Sequence, residues 1–347
     1  MIKYLLPKDG NFYKANLHCH TTFSDGKKTP EEVKEIYKSL GYSVVAYTDH
    51  DILIPHDELT DDGFVALHGY EMETNEKKPW AEHPKTCHVC FIGIDKENIT
   101  QPFFHRTKYL IGNSAKYADA VKFDESTVDY ERVYTCEELS RVMQAAREKG
   151  FFVTYNHPTW SLEDYRNYSG YRGMNAMELL NGSCICAGFD DNNPRVYDDI
   201  LRTGNRIFAV AGDDNHNGHE LPSRKSDSGW AFTMIKAPKL EYSAITEALV
   251  KGNCYASEGP EIYDLWYEDG KVHITTSEAD RINCNYGIRR AERVLAEGGV
   301  PVTEATFTVP ENCVYFRITV VDKTGKRAYT SAYFVDELME DNNNDNN

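Results

Sequence analysis

Two histidines separated by one residue, His18 and His20, are the strongest local indication of chemistry in the chain. They follow a short segment that we predict to be a β-strand, and residues i and i+2 of a strand face the same side. Both imidazoles can therefore bind one metal ion. Asp25 follows on a loop in which Gly26 permits a tight turn. A chance pair of histidines on a solvent-exposed face is the alternative at this point.

Similar ionisable residues lie at or near the ends of later apolar segments. In chain order they are Asp49, His50 and Asp51; Glu71; His88; His157; and Asp213, Asp214 and His216. Taken singly, each has an ordinary explanation: a turn for the aspartates, a core position for His88, and a surface position for Glu71, with Glu73 as a competing carboxylate. Together they indicate one site, because a parallel sheet gathers the carboxyl ends of its strands on one face.

The elements that position these residues alternate between strands and helices up to residue 258. Helices are predicted to begin at Thr29-Pro30 and to span 136–149, and strands are predicted at 15–17, 42–48, 64–68, 88–94, 151–156, 176–180 and 206–211. This alternation predicts an α/β fold with a parallel sheet, closed into a barrel at this length. We interpret residues 97–135 as an insertion near the mouth of the pocket.

The texture of the sequence changes after Gly259-Pro260. Short β-rich segments separated by turn signals predict a small β-sandwich over 259–336, and the polar residues 337–347 are expected to be disordered. The chain therefore divides, by prediction, into a barrel domain over 1–258 and a small all-β module.

Composition excludes several classes of function. The 347 residues carry a formal charge of -17, which disfavours an extensive nucleic-acid surface. The sequence shows neither a membrane span nor a signal peptide, and nine cysteines without framework spacing are typical of reduced thiols, so we expect a cytoplasmic protein. Cys87 and Cys90 form a single CxxC motif, for which a redox pair or a structural zinc site is the alternative to buried free thiols.

The ordered motifs HxH with SDG, then TDHD, GxE, a lone His, NHP and DxH resemble the PHP (polymerase and histidinol phosphatase) family over about residues 12 to 258. The resemblance implies a distorted seven-stranded barrel with a metal cluster at the carboxyl ends of its strands. The segment RITVVDKTGKRAYTSAYFV resembles the branch that includes the carbaryl-hydrolase-type metallohydrolases.

Carried over position by position, the resemblance implies two to three divalent metal ions, with Zn, Mn or Fe compatible with imidazole and carboxylate ligands. It also implies that Asp49 and Asp213 orient imidazoles. The implied ligand sets are His18, His20, Glu71 and Asp214 for one ion; Glu71, His88 and His157 for a second; and Asp25, His50 and His216 for a third.

These expectations favour a phosphoesterase that hydrolyses a small phosphorylated metabolite or nucleotide through a hydroxide shared between two cations. Glu71, His157 and Asp214 are the expected catalytic residues, Arg224 is the first choice for binding the phosphate, and Trp160 is a candidate to stack on a ring. Two alternatives stay open: a carboxyl- or carbamate-ester hydrolase using the same centre, and a non-catalytic, metal-stabilised scaffold.

Overall fold

The computed structural model describes residues 2–77 and 84–338. The strands are β1 (Ile2–Tyr4), β2 (Asn11–Asn16), β3 (Val44–Tyr47), β4 (Val65–Asn75), β5 (Thr86–Gly93), β6 (Phe151–Tyr155), β7 (Ala176–Asn181), β8 (Phe208–Gly212), β9 (Phe232–Ala237), β10 (Cys254–Ser257), β11 (Ile262–Glu268), β12 (Lys271–Ala279), β13 (Arg281–Tyr286), β14 (Ala291–Leu295), β15 (Val302–Thr308), β16 (Tyr315–Val321), β17 (Arg327–Thr330) and β18 (Tyr333–Phe334). The helices are α1 (Pro30–Ser39), α2 (Ser114–Tyr117), α3 (Cys136–Glu148), α4 (Tyr165–Tyr168), α5 (Gly182–Ala187), α6 (Pro194–Arg202) and α7 (Tyr242–Val250), with 3-10 turns at Asp57–Leu59 and Ala118–Ala120.

The two helix starts follow the capping signals in the sequence. The Thr29 hydroxyl accepts a hydrogen bond from the Glu32 amide, and the Glu32 carboxylate accepts one from the Thr29 amide, which is a capping box. The Thr135 hydroxyl caps α3 in the same way by accepting from the Glu138 amide. Helix α3 ends one residue before the predicted 149. Gly150 follows in the left-handed region with φ +83°, which permits the chain to turn back into β6.

The central sheet is mixed rather than wholly parallel. Strands β2, β3 and β4 pair in parallel, as do β6, β7 and β8, but β5 is antiparallel to both of its neighbours. Strand β4 is longer than predicted, since it pairs with β3 up to His68 and with β5 from Gly69 onward. Glu71 therefore lies within this strand and not after it, but immediately beyond the part that pairs with β3.

The predicted closure into a barrel is not confirmed. Within the described residues β8 forms a ladder with β7 only, whereas β2 continues the sheet through β9 into β10, β17, β16, β13 and β14. The chain segments that follow β2 and β8 nevertheless meet. The Asp214 amide donates to the His18 carbonyl at 2.9 Å, and the His20 amide donates to the Asn215 carbonyl at 3.1 Å. The backbone after β2 and the backbone after β8 are thus hydrogen-bonded to each other at the carboxyl edge of the sheet.

The β-rich part of the chain after Gly259 is present, and β1 adds to it by pairing with β11. A four-stranded sheet, β1-β11-β12-β15, and the outer strands of the large sheet share one buried apolar cluster that includes Leu265, Ile274 and Ile318. The division into two domains at 258/259 stays a prediction. The large sheet continues across this boundary, since β10 on one side of it pairs with β17 on the other. Residues 337–338 of the expected disordered tail are helical, and 339–347 lie outside the described residues. Within the described ranges, the helices are all too short or too polar to cross a membrane.

Candidate metal centre

A cavity of about 270 Å³ opens at the edge of the sheet where strands β2, β3, β6 and β8 end. The structure brings all nine predicted metal ligands to this place. Seven of them line the cavity, and His18 and His20 lie buried behind it. His88 joins them from the beginning of β5, because the antiparallel direction of that strand places its amino end at this edge.

Glu71 is the centre of the arrangement. Its Oε1 atom lies 3.0 Å from Nδ1 of His88, and 3.2 Å from Nε2 of both His18 and His157. Its Oε2 atom lies 3.2 Å from Nδ1 of His50 and 3.4 Å from Nε2 of His20. Five imidazoles therefore surround one carboxylate whose side chain is only 1% exposed.

Asp214 closes the inner end of the cluster. Its Oδ1 atom lies 2.9 Å from Nε2 of His20 and 3.2 Å from Nε2 of His18. Asp214 has φ +53° and His157 has φ +26°, a left-handed conformation that side-chain-bearing residues adopt only where the surrounding structure holds them there. The backbone after β6 and after β8 is thus bent so as to aim these two side chains at Glu71.

Asp25 forms the outer and more open part of the cluster. Its carboxylate lies 3.5 Å from Nε2 of His216, 3.8 Å from Nε2 of His50 and 3.9 Å from Nδ1 of His20. The side chains of Asp25 and His216 are each about one third exposed, so this part faces the solvent.

The residues present fit divalent cations. Zinc–nitrogen bonds of 2.0–2.1 Å in a tetrahedron place the ligand atoms about 3.3 Å apart, which matches the spacing around Glu71 and Asp214. Four buried atoms of the cluster have no hydrogen-bond partner in the part of the chain that the structure describes: His20 Nδ1, His50 Nδ1, Glu71 Oε2 and His88 Nε2. Buried polar atoms without partners are costly, and a bound cation would satisfy them.

The donor atoms lie together in groups that include two of the three ligand sets implied by the family resemblance. One group is His18, His20, Glu71 and Asp214, another is Asp25, His50 and His216 together with His20, and further groups are His50, Glu71 and His88, and His18, His157 and Glu178. The implied second set is not separate in this arrangement, because Oε1 of Glu71 contacts His88, His157 and also His18.

The electrostatics of the cluster favour protonation of His18, His20 and His157, and oppose it at His50, where burial and the neighbouring His20 lower the pKa well below the ordinary range. Burial opposes protonation of His18 and His20, but the carboxylates of Asp214 and Glu71 outweigh it and raise both pKa values well above the ordinary range. Burial is likewise outweighed at His157, where the hydrogen bond to Glu71 and the charge of Asp214 raise the pKa to about 9. The imidazoles in turn hold the pKa of Glu71 well below its ordinary range, against the effect of burial. A metal ion must therefore displace protons here.

The sequence prediction missed Glu178, the acid in the middle of β7. Its Oε1 atom lies 3.1 Å from Nδ1 of His18, while Oε2 accepts hydrogen bonds from the His157 amide at 3.2 Å and from the Asn181 side chain at 2.8 Å. Asn181 also donates to Asp214 at 3.1 Å. A signal was available, because AMELLN is otherwise apolar up to its last residue, and a buried carboxylate needs partners.

The roles expected for Asp49 and Asp213 were wrong, since within the described residues neither forms a hydrogen bond or ion pair with an imidazole. Asp49 accepts hydrogen bonds from the amides of Thr21 and Ser24, so it fixes the loop after His20. Asp213 accepts from the amides of Trp230 and Ala231, and from the Tyr37 hydroxyl at 2.9 Å. Both aspartates thus hold loop backbone in place, since amides are among the donors to each. The imidazoles are oriented by other groups: Glu178 for His18, the Ser161 hydroxyl for His157, and the Asp214 carbonyl for His216.

Arg224 lies on an exposed loop and is not among the described residues that line the cavity. Its expected contact with phosphate stays a prediction. Cys87 and Cys90 are buried free thiols whose pKa values are raised by burial, and neither belongs to a cluster of metal-ligating side chains in the described structure. This favours the interpretation of the CxxC motif as core packing.

Segment 97–135 lies against the mouth of the cavity. Ile111 lines the cavity, and the Ser114 hydroxyl donates to the His50 carbonyl at 2.6 Å. The Arg132 guanidinium forms a buried ion pair with Asp51, the residue after His50, and the Asn113 amide donates to the Ser24 carbonyl. The segment therefore braces both loops that carry the outer ligands Asp25 and His50.

No known family model and no curated protein matches this chain. Among solved structures, it is similar to a two-domain protein from Bacteroides vulgatus containing a predicted PHP-like metal-dependent phosphoesterase, with 14% identity over 95% of this chain and 98% of the other and a TM-score of 0.41. It is also similar to an amidohydrolase from Chromobacterium violaceum with bound sulfate and no metal, with 16% identity over 60% of this chain and 92% of the other and a TM-score of 0.36.

Proposed function

We propose that the protein is a metal-dependent phosphoesterase that hydrolyses a small phosphorylated molecule at this centre, with two to three divalent cations held by the nine converging side chains. The observation that carries the proposal is the surrounding of Glu71 by five imidazoles at 3.0–3.4 Å, with Asp214 and Asp25 at either end. Imidazole and carboxylate donors without thiolate suit Zn, Mn or Fe.

The charge of the site supports an anionic substrate. The nine side chains contain three carboxylates, those of Asp25, Glu71 and Asp214, and six imidazoles that bind cations in the neutral form. With two or three divalent ions, the ions and these nine side chains together carry a net positive charge, although the chain as a whole carries -17. A phosphoryl group is the reacting group whose charge this site would stabilise best.

Each part of the ligand set has a defined task. Divalent ions bound here would supply an ionised water near neutral pH and positive charge opposite the phosphoryl oxygens. Glu71 presents both of its oxygens to different imidazoles, so it is the residue placed to be shared between neighbouring ions. Asp25 and His216 lie at the solvent side, where they would hold an ion beside the incoming substrate.

The test is the activity of metal-loaded protein on three substrates: an aryl phosphate monoester, an aryl phosphodiester and a naphthyl carboxyl ester. Release of phosphate or of the aryl alcohol from either phosphoester, and its loss in Asp214→Ala with the fold intact, is the expected result. Asp264→Ala, at an exposed position of β11, is the matched control and should keep full activity. Cleavage of the carboxyl ester alone, or no turnover at full metal occupancy, would overturn the proposal.

A further inference from the structure

The walls of the cavity beyond the nine ligand side chains have an unusual composition for a site that takes an anion. The remaining lining residues are Glu73, Ile111, Trp160, Ser183, Cys184 and Ala187. Neither lysine nor arginine occurs among the described residues of this lining. The positive charge that holds the reacting anionic group would therefore come from the cations, and the rest of a substrate would meet mostly apolar surface, the Ser183 residue and one acid.

The acid in this lining is Glu73, which lies on the same side of the sheet as the metal ligands. It lies two residues after Glu71 in β4 and directly opposite His88 in β5, so it shares their face. Its carboxylate accepts a hydrogen bond from the Asn75 side chain. The nearby Arg132 guanidinium contacts only the backbone carbonyl of Glu73, because its charge is paired with Asp51. Among the described residues, the Glu73 carboxylate thus lies in the lining of the cavity without a salt bridge to Arg132.

Trp160 supplies a fixed apolar surface beside the centre. Its indole packs in T-shaped contacts against the His88 and His157 rings, with centroid distances of 5.3 and 5.1 Å. Its backbone amide donates to the fully buried Asp191 at 2.9 Å, which anchors the turn after His157. The side chain is 40% exposed, so a large part of the ring remains open to a ligand. Aromatic faces of this kind bind planar or apolar groups well.

The cavity is also small. Its volume of about 270 Å³ lies below the range of about 300–1,000 Å³ that is usual for small-molecule sites. We infer that the substrates are compact esters with a single anionic group and an uncharged, apolar or aromatic remainder, and that Glu73 excludes molecules with a second anionic group. This inference rests on the proposed function, since it takes the reacting anion to be bound by cations at the same centre.

The test uses non-hydrolysable phosphonates, so that binding is measured independently of turnover. Isothermal titration of metal-loaded protein would compare 4-carbamoylbenzylphosphonate with 4-carboxybenzylphosphonate, which differ in one remote charge and little in shape. Like-charge repulsion across several ångströms of partly desolvated space is worth about a factor of ten, so the carboxylate should bind about tenfold more weakly. In Glu73→Gln the two Kd values should agree within about twofold, whereas Glu304→Gln, an exposed matched control on β15, should keep the wild-type ratio.

A second comparison tests the apolar wall. Trp160→Ala should weaken benzylphosphonate relative to methylphosphonate by about tenfold, and Trp160→Phe should restore most of the difference. Metal content is measured in each variant, so that weaker binding caused by loss of cations is distinguished from weaker binding caused by loss of the indole surface.

The outcomes separate this inference from the proposed function. A wild-type Kd ratio near one, a ratio that Glu73→Gln leaves unchanged, or no phosphonate binding at millimolar concentration would overturn the inference. Failure of metal-loaded protein to hydrolyse any phosphoester, while the phosphonates still bind with the expected ratio, would overturn the proposed function and leave the charge selection standing.

Discussion

Substitution of Glu178 by glutamine probes how the cluster is held together. The carboxylate accepts three hydrogen bonds, one from the His18 ring through Oε1 and two from the His157 amide and the Asn181 side chain through Oε2. Glutamine offers one acceptor oxygen and one NH2 group. If the oxygen faces His18, the NH2 group meets two donors. If the NH2 group faces His18, then Nδ1 must accept, the ring proton moves to Nε2, and Nε2 can no longer bind a cation.

The first orientation leaves buried donors unsatisfied, which costs about 1–3 kcal/mol, and the second removes Nε2 of His18 as a metal ligand. Loss of a carboxylate that orients a metal-bound histidine usually costs about 10- to 100-fold in metal affinity, which corresponds to about 1.4–2.7 kcal/mol. We therefore expect the Kd for the most tightly bound divalent ion to rise by about 10- to 100-fold in Glu178→Gln. Competition with a chromophoric chelator measures this value, and circular dichroism checks that the fold is intact.

Glu304→Gln again serves as the control, because it makes the same change of charge at an exposed position outside the cavity lining. A Kd within about twofold of the wild type in Glu178→Gln, with an intact fold, would refute the view that this carboxylate sets the orientation of His18.

Three further predictions concern stability. Gly212→Ala should destabilise the protein by about 1–3 kcal/mol in urea denaturation, because an added Cβ would lie 2.9 Å from Oε1 of Glu178; an unchanged midpoint would contradict this contact. In chelator-treated protein the pKa of His157 is raised from its ordinary 6.5 to about 9, so the proton bound to this ring stabilises the fold. This stabilisation is complete below pH 6.5 and is lost as the pH rises through 9. Urea denaturation should therefore show a loss of roughly 3 kcal/mol from that group between these limits, and a stability that is constant or rises with pH would oppose the assignment. Arg132→Met should cost about 3–5 kcal/mol because it leaves the buried Asp51 carboxylate unpaired, and a loss below about 1 kcal/mol would argue against this ion pair.

The ligand positions could be predicted from the sequence because residue type and strand ends are local features. His18, His50, His157 and Asp214 all follow segments whose apolar character predicts a buried strand, and the structure places each beyond such a segment. Local patterns do not reveal the direction of a strand. His88 begins its strand, so a wholly parallel sheet would have placed it at the opposite edge, and the antiparallel pairing of β5 resolves this conflict.

Long-range pairing accounts for most of what the sequence did not predict. The pairing of β1 with β11 joins residues more than 260 positions apart, and no local periodicity indicates such a partner. The sheet also passes from β2 through β9 and β10 to β17, which a division into a closed barrel and a separate module does not anticipate. The roles of Asp49 and Asp213 could not be predicted either, because their partners are backbone amides whose positions depend on loop conformation.

The measurement that tests the central claim most directly is the metal content of the purified protein, determined by mass spectrometry after dialysis against metal-free buffer. The convergence of nine imidazole and carboxylate side chains predicts two to three divalent ions per chain. Fewer than about two ions per chain, in protein supplied with Zn, Mn and Fe before dialysis, would contradict a shared centre around Glu71.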